Sequence, residues 1–268
     1  MKDLLKGKVL LVSGGTQGLG AGIARTAARE GATLVLAGRS AEHGEKVAAE
    51  LQNTGADAVF VRADIGDVSQ AQAAVAATIE RHGRIDCLVN AAGLTTRGTM
   101  LDTTPELFDQ HVAVNLRAPF FLMQAAIADM RQRGEPGTIV NVISIDSHGG
   151  QSFLTPYVAA KAGLAGLTKN AAHAHRWDRI RINGLNMGWS ATDGEDQLQR
   201  STQRAGGDDR TQGAAADWQT AAGATLPMGK LGQPDEIADF VVFLLSDRSG
   251  VVTGSVIDWD QNVIGGLG

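Results

Sequence analysis

The sequence predicts an α/β protein: a doubly wound, parallel, seven-stranded sheet with helices on both faces, in a single domain spanning residues 1–268. Three observations predict it. Short runs rich in β-branched residues alternate with stretches of helical length along nearly the whole chain, and such alternation builds a parallel sheet whose crossovers are helices. A glycine-rich turn, Ser13-Gly-Gly-Thr-Gln-Gly-Leu-Gly20, follows the first run, which is where open α/β sheets bind ligands. Finally, 268 residues with 43% hydrophobic content suit one large domain with a full core.

The strands are predicted at Val9 to Val12, Thr33 to Leu36, Ala58 to Val61, Cys87 to Val89, Thr138 to Val142, Arg181 to Leu185 and Ser255 to Ile257. Between them, Gly20 to Glu30, Val68 to His82, Pro105 to Arg131, Tyr157 to His175 and Pro234 to Ser246 are Ala-rich or amphipathic at helical length. The exception is the polar stretch from Trp189 to Thr225, too long for an ordinary connection and read as a substrate lid. No repeat or Pro/Ser-rich linker breaks the pattern.

Charge and composition exclude several classes of function. The balance of 24 basic against 29 acidic residues gives −5 with no basic block, so no nucleic-acid partner is expected and a small-molecule enzyme fits better. Cys87, alone of its kind, lies in the apolar run Ile85-Asp-Cys-Leu-Val89 and reads as packing. The first eight residues lack the apolar core of a signal peptide, and no apolar run reaches the roughly 20 residues of a membrane span. A cytoplasmic protein without a membrane partner is the expectation.

The chemistry concentrates in Ser144, Tyr157 and Lys161. A Tyr followed four residues later by a Lys places phenol and ammonium on one helix face. A nearby cation favours the phenolate, so the pair is expected to bring the Tyr157 pKa down towards working pH and make it a general acid/base. A hydroxyl from another strand, Ser144, can hold a carbonyl or alcohol oxygen beside the phenol. In the turn, Gly14-x-x-x-Gly18-x-Gly20 lets the backbone approach a pyrophosphate at the start of the next helix. Together these describe hydride transfer. His173 and His175 are two apart on a helix and point to different faces, so no metal site is expected.

With these motifs in order over essentially its whole length, the chain resembles the short-chain dehydrogenase/reductase family. The matches are the glycine turn, Asn90-Ala-Ala-Gly93 after the fourth strand, Asn115 in the following helix, and Ser144, Tyr157 and Lys161. The resemblance implies a Rossmann-type fold in which Tyr157 moves the proton, Lys161 lowers its pKa and binds the nicotinamide ribose, Ser144 orients the reacting oxygen, and Asn115 holds a relay water near Lys161. It also implies a cofactor site from Ser13, Gly14, Gly18, Leu19, Gly20, Asp64, Ile65, Asn90, Gly93, Gly188 and Thr192, with Asp64 at the adenine and Thr192 at the carboxamide. The chain departs from the family in Ser13 for the usual Thr, Met187-Gly188 for Pro-Gly, Ser190 for an apolar β-branched residue, and the ending Asp258-Trp-Asp-Gln-Asn262 for Asp-Gly-Gly.

Cofactor choice turns on the end of the second strand, where an acid would bond the ribose 2′-hydroxyl and an Arg would accommodate a 2′-phosphate. Here Gly38 holds the acidic position and Arg39 follows, a pattern that resembles NADP-preferring members; NAD remains possible, and Arg39 as an adenine-stacking or solvated turn residue is the alternative. Thr95, Asp146, Gln151 and Trp189 are the candidate substrate contacts, and in sugar dehydrogenases of the family similar positions meet hydroxyls; Asp146 as a local turn cap or exposed group is the alternative. Trp189 and Trp218 either stack on a sugar ring or pack the lid. The expected activity interconverts a secondary alcohol and a carbonyl on a sugar, polyol or cyclitol. A 3-oxoacyl thioester reductase is the alternative, and a non-catalytic nucleotide-binding regulator a remote one. Helices apolar on more than one side, with Phe120, Phe121, Leu122 and Met123, are expected to be buried; in the family those helices pair between subunits, and with the tail near Trp259 as a second contact the resemblance implies a homotetramer.

Overall fold

The computed structural model describes residues 3–192, 194–196, 199–200 and 218–263. Its strands are β1 (Val9–Ser13), β2 (Thr33–Gly38), β3 (Ala58–Arg62), β4 (Cys87–Asn90), β5 (Gly137–Val142), β6 (Ile180–Met187) and β7 (Val256–Trp259). They form one parallel sheet in the order β3-β2-β1-β4-β5-β6-β7, which reverses direction between β1 and β4. The helices are α1 (Gly18–Arg29), α2 (Ala41–Asn53), α3 (Val68–His82), α4 (Pro105–Val112), α5 (Ala118–Arg133), α6 (Thr155–His175), α7 (Trp218–Ala224) and α8 (Pro234–Leu245).

Alternation along the strands splits the core into two layers, because successive side chains of a strand leave opposite faces of the sheet. Leu10, Val12, Leu34, Leu36, Val140 and Leu185 pack against α1, α2 and α8. Leu11, Val35, Leu88, Ile139 and Ile182 pack against α3, α5 and α6. Cys87 is buried in the first layer, where desolvation pushes its thiol up to about 12 and leaves it inert.

One predicted helix is in fact two. The stretch from Pro105 to Arg131 is interrupted by a π-helical turn at Ala113–Arg117. Pro119 supplies the reason: it has no N–H, so the Asn115 carbonyl lacks its ordinary i+4 donor, and the chain takes the wider turn, a form often found at functional sites. Helices α2 and α7 add to the predicted set. The predicted lid at 189–225 contains α7, but residues 193, 197–198 and 201–217 lie outside the described part. Among the described residues, no helix is long and apolar enough to cross a membrane.

Candidate active site

The glycine turn leaves β1 at the switch point. Gly14 (φ 74°) and Gly18 (φ 51°) take left-handed backbone conformations, and a Cβ on Gly14 would stand 2.6 Å from the Ala92 Cα, so only glycine lets the two loops meet. A Cβ on Gly18 would meet nothing within 4 Å; that position faces open space. Helix α1 begins there with no side-chain cap on its first N–H groups, which suits it to an anion. Leu19 and Gly20 are buried in the first turn of α1. These features fit the pyrophosphate of a dinucleotide.

A buried polar ladder crosses the sheet at the same level. Ser13 Oγ donates to Asn90 Oδ1 at 3.5 Å, Asn90 Nδ2 donates to Asn141 Oδ1 at 2.7 Å, and Asn141 Nδ2 donates to Thr168 Oγ1 on α6 at 2.9 Å. Ser13, Asn90 and Asn141 are register partners on β1, β4 and β5, so the ladder ties the strand ends to the helix that carries Tyr157 and Lys161. Further along the sheet edge, Asp64 is exposed and its Oδ1 accepts from Gly66 N at 3.1 Å, while Ile65 is buried. Arg39 is exposed and makes no ion pair or hydrogen bond with a described residue. A Cβ on Gly38 would come within 2.6 Å of Thr16 Cγ2, so Thr16 takes up the space an acidic side chain would need.

Ser144 ends β5's extension, and Tyr157 and Lys161 lie one turn apart on α6; all three are buried. Lys161 Nζ donates to the Val142 carbonyl at 2.8 Å and stands 5.6 Å from the centre of the Tyr157 ring. Burial dominates both groups. It pulls the ammonium down to about 8 and pushes the phenol above its ordinary value, against the opposing effect of Ser144. The expected downward shift of Tyr157 by Lys161 is therefore not seen in this state: the lysine aims its charge at a carbonyl, and burial, with the Asp146 and Glu195 carboxylates, pushes the phenol up. Ser144 Oγ donates to Asp146 Oδ2 at 3.1 Å and accepts from Asp146 N at 3.2 Å. Desolvation raises the Asp146 pKa, with Asp260 and Glu195 adding to it.

Asn115 sits in the π turn with its amide fully engaged. Its Oδ1 accepts from Leu94 N at 3.0 Å, and Nδ2 donates to Leu94 O at 2.9 Å and to His111 Nδ1 at 3.1 Å. A relay role for Asn115 therefore rests on its backbone carbonyl. His111, which sequence reasoning passed over, is fully buried and joins three elements: Nε2 lies 2.9 Å from Thr96 O, and the ring meets Tyr157 edge-on at 6.2 Å. With Nε2 donating to Thr96, Nδ1 is free to accept from Asn115, and burial lowers its pKa towards that neutral form. Its spacing of four from Asn115, one helix face, was the available signal.

Of the remaining predicted contacts, Gly93 borders Asn115 Oδ1, while Thr95 and Gln151 are exposed on the loops after β4 and β5. Trp189 packs against Trp218 at 6.1 Å between centroids and donates to Glu195 at 2.9 Å; Trp218 is buried and donates to Asp196 at 2.7 Å. Both indoles thus pack within the described part of the 189–225 stretch. Thr192 Oγ1 accepts from Glu195 N at 3.3 Å. Gly188 N donates to Trp259 O at 3.0 Å, and a Cβ there would collide with Asp260: the unusual tail fills the space beside Met187-Gly188. A cavity of about 360 Å³ opens there, lined by Gly188, Trp189, Leu231, Trp259 and Asp260 among others, but by none of the catalytic group. His148 and Asn186 both meet Asp258 Oδ1, at 3.0 and 2.8 Å, tying the tail to the turn after Ser144.

Known proteins share this fold. A family model described as Enoyl-(Acyl carrier protein) reductase matches residues 14–261. A solved structure titled "short chain dehydrogenase/reductase family protein" is 34% identical, with a TM-score of 0.79 over 96% of this chain and 97% of that one. The chain belongs to the short-chain dehydrogenase/reductase family. The L-rhamnose 1-dehydrogenase (NAD(P)(+)) of Azotobacter vinelandii is similar too, 34% identical over 257 residues, 94% of each chain. So is the structure of L-sorbose reductase from Gluconobacter frateurii complexed with NADPH and L-sorbose, 27% identical with a TM-score of 0.90 over 100% of both chains. As a member with an intact Ser144, Tyr157 and Lys161, the chain is an oxidoreductase that interconverts a secondary alcohol and a carbonyl.

Proposed function

We propose that this oxidoreductase works on a sugar, polyol or cyclitol with NADP in preference to NAD, as a homotetramer with a lid at residues 189–225. Asp146 carries the substrate reading. Its carboxyl is desolvated, accepts from the Ser144 hydroxyl, and stands beside the position of the reacting oxygen. A half-buried carboxyl needs donors, and the hydroxyls of a polyol supply them, with Thr95 and Gln151 on the flanking loops as further partners. A relative and a structural neighbour acting on rhamnose and sorbose support it. The cofactor preference rests on Arg39, unpaired and next to a Gly38 whose neighbour Thr16 leaves no room for an acid. The tetramer rests on α5, where Phe120 is exposed and paired edge-on with Phe121.

The bound nicotinamide would supply or accept the hydride; the chain's residues manage the rest. In reduction, the Tyr157 phenol, protonated at neutral pH by its buried setting, gives its proton to the developing alkoxide while Ser144 orients that oxygen. The buried Lys161 ammonium stabilises the phenolate this leaves behind, and in oxidation that phenolate takes the alcohol proton back. The test is a screen of polyols, cyclitols, aldoses, hydroxysteroids and oxoacyl thioesters with both cofactors, following nicotinamide absorbance. Polyhydroxylated substrates should dominate, and Asp146→Ala and Gln151→Ala should weaken their use far more than cofactor binding. Efficient reduction of long-chain oxoacyl thioesters with every polyol ignored would replace this reading.

A further inference from the structure

Among the described residues, three buried side-chain nitrogen or oxygen atoms lack a hydrogen-bond partner: His82 Nε2, Gln199 Oε1 and Arg97 Nε. Only Arg97 carries a permanent charge; its Nε is covered while the residue as a whole is half-exposed, and a charged donor covered in this way is rarely left unpaired without a use for it. No described carboxylate forms an ion pair with it.

Its place in the fold says what the use is. Arg97 lies on the loop after β4, two residues beyond Thr95, and that loop is stitched to the entry of the catalytic helix. Gly98 N donates to Phe153 O at 2.9 Å, and Thr155 N donates to Gly98 O at 2.9 Å, two residues before Tyr157. On the loop's other side, His111 holds Thr96 O. The guanidinium is thus carried on a braced support beside the helix of the acid/base. It stacks over the Phe153 ring, 4.9 Å from its centre. Stacking covers one face of the planar group, and with Nε itself covered the terminal N–H groups are the edge left to a planar, bidentate acceptor. The surroundings of Asp146 are acidic: Glu195 and Asp260 both raise its pKa. A substrate with one charged end has a single orientation that suits both sides, its anion towards Arg97 and its hydroxyls towards Asp146.

We propose that Arg97 is a specificity residue for a substrate carboxylate, so that the preferred substrates are sugar acids or polyhydroxylated keto acids rather than neutral sugars; this rests on the polyol reading above. The experiment compares matched pairs in NADPH-linked reduction, fructose with 2-keto-D-gluconate and L-sorbose with 2-keto-L-gulonate. Each pair differs by a carboxylate in place of a terminal hydroxymethyl group. The acid should be preferred in kcat/KM, and Arg97→Gln should lower the acid-to-neutral ratio by about a hundredfold, the effect of removing one partner of a desolvated charge pair. Arg97→Lys should keep part of the preference, and Arg81→Gln, on the exposed end of α3, should leave it whole. Thermal melting and NADPH titration check that each variant is folded. The ratio in the unaltered protein needs no variant: neutral sugars reduced as well as their acids, or a preference that survives Arg97→Gln, overturns the inference alone. No turnover of either member of any pair overturns the polyol reading with it.

Discussion

The cofactor half and the substrate half of this site are built differently. On the side proposed for the cofactor, the groups are backbone or are held by the sheet: the Gly14 turn jammed against Ala92, the uncapped start of α1, and a ladder of side chains from Ser13 to Thr168 in which each polar group has a partner. On the substrate side, the candidates are side chains on loops, with Thr95 and Gln151 exposed and Arg97 without a hydrogen bond at Nε. The difference teaches where each kind of information resides. A backbone cradle binds what every member of the fold binds, whereas loop side chains can change one at a time and so select the substrate. Tyr157 and Lys161 stand at the junction, on a helix that the ladder anchors and the substrate loops adjoin.

The sharpest way to separate the halves is Tyr157→Phe. The ring stays, so its edge contact with His111 and the melting temperature should hold, and cofactor affinity should be nearly unchanged. Turnover should fall by more than about a hundredfold, because the titrating hydroxyl is lost. Cofactor titration beside single-turnover kinetics would show it, and wild-type turnover would remove Tyr157 from the acid/base role. The next largest effect isolates the other half. Arg39→Asp should turn a preference for NADP into one for NAD, since a carboxylate repels a 2′-phosphate but accepts from a ribose hydroxyl. Substrate KM should barely move. Tighter NAD binding by the unaltered chain would end the case for Arg39, and a large rise in substrate KM would mean that the two halves are not independent.

What was legible in the sequence follows the same division. All seven strands were readable because their signal is local, an apolar run bounded by turns, and the glycine turn and the Tyr157–Lys161 spacing were readable because fixed offsets encode them. The π turn was not read, although Pro119 four residues after Asn115 contains the cause. Helix α2 was obscured by a glycine in its first turn, Gly44, whose missing Cβ makes room for the Phe60 ring of β3. The polar ladder needed strand register, which puts Asn141 beside Asn90 across 51 residues of chain. The direction of the Tyr157 shift was misjudged because spacing shows that a lysine is near but not where its Nζ points or how dry the pocket is. Arg97 gave no signal, since only the fold brings it over Phe153.

The smallest expected effect is on stability, and it tests whether the junction is strained by its function. Lys161 is buried, and desolvation brings its pKa from 10.5 to about 8. Below about 8 the folded and unfolded chains both hold this proton, so the folded state bears the whole cost of a buried charge. Between about 8 and 10.5 the unfolded chain holds a proton that the folded chain has released, and stability from this group rises with pH. Above pH 10 Tyr157 acts in the opposite sense, since its raised pKa means that the unfolded chain ionises first. Lys161→Met removes the buried charge and keeps most of the packing, at the cost of the hydrogen bond to Val142 O. The net gain at pH 7 should be on the order of 1–3 kcal/mol, or several degrees in Tm, together with loss of turnover. The advantage should shrink as pH climbs from 8 towards 10, while the unaltered protein sheds its charge. Melting curves of both proteins across that range decide it. A variant less stable than its parent at pH 7, or a gap that ignores pH, would mean that the Val142 bond outweighs the burial and that Lys161 holds the site together rather than straining it.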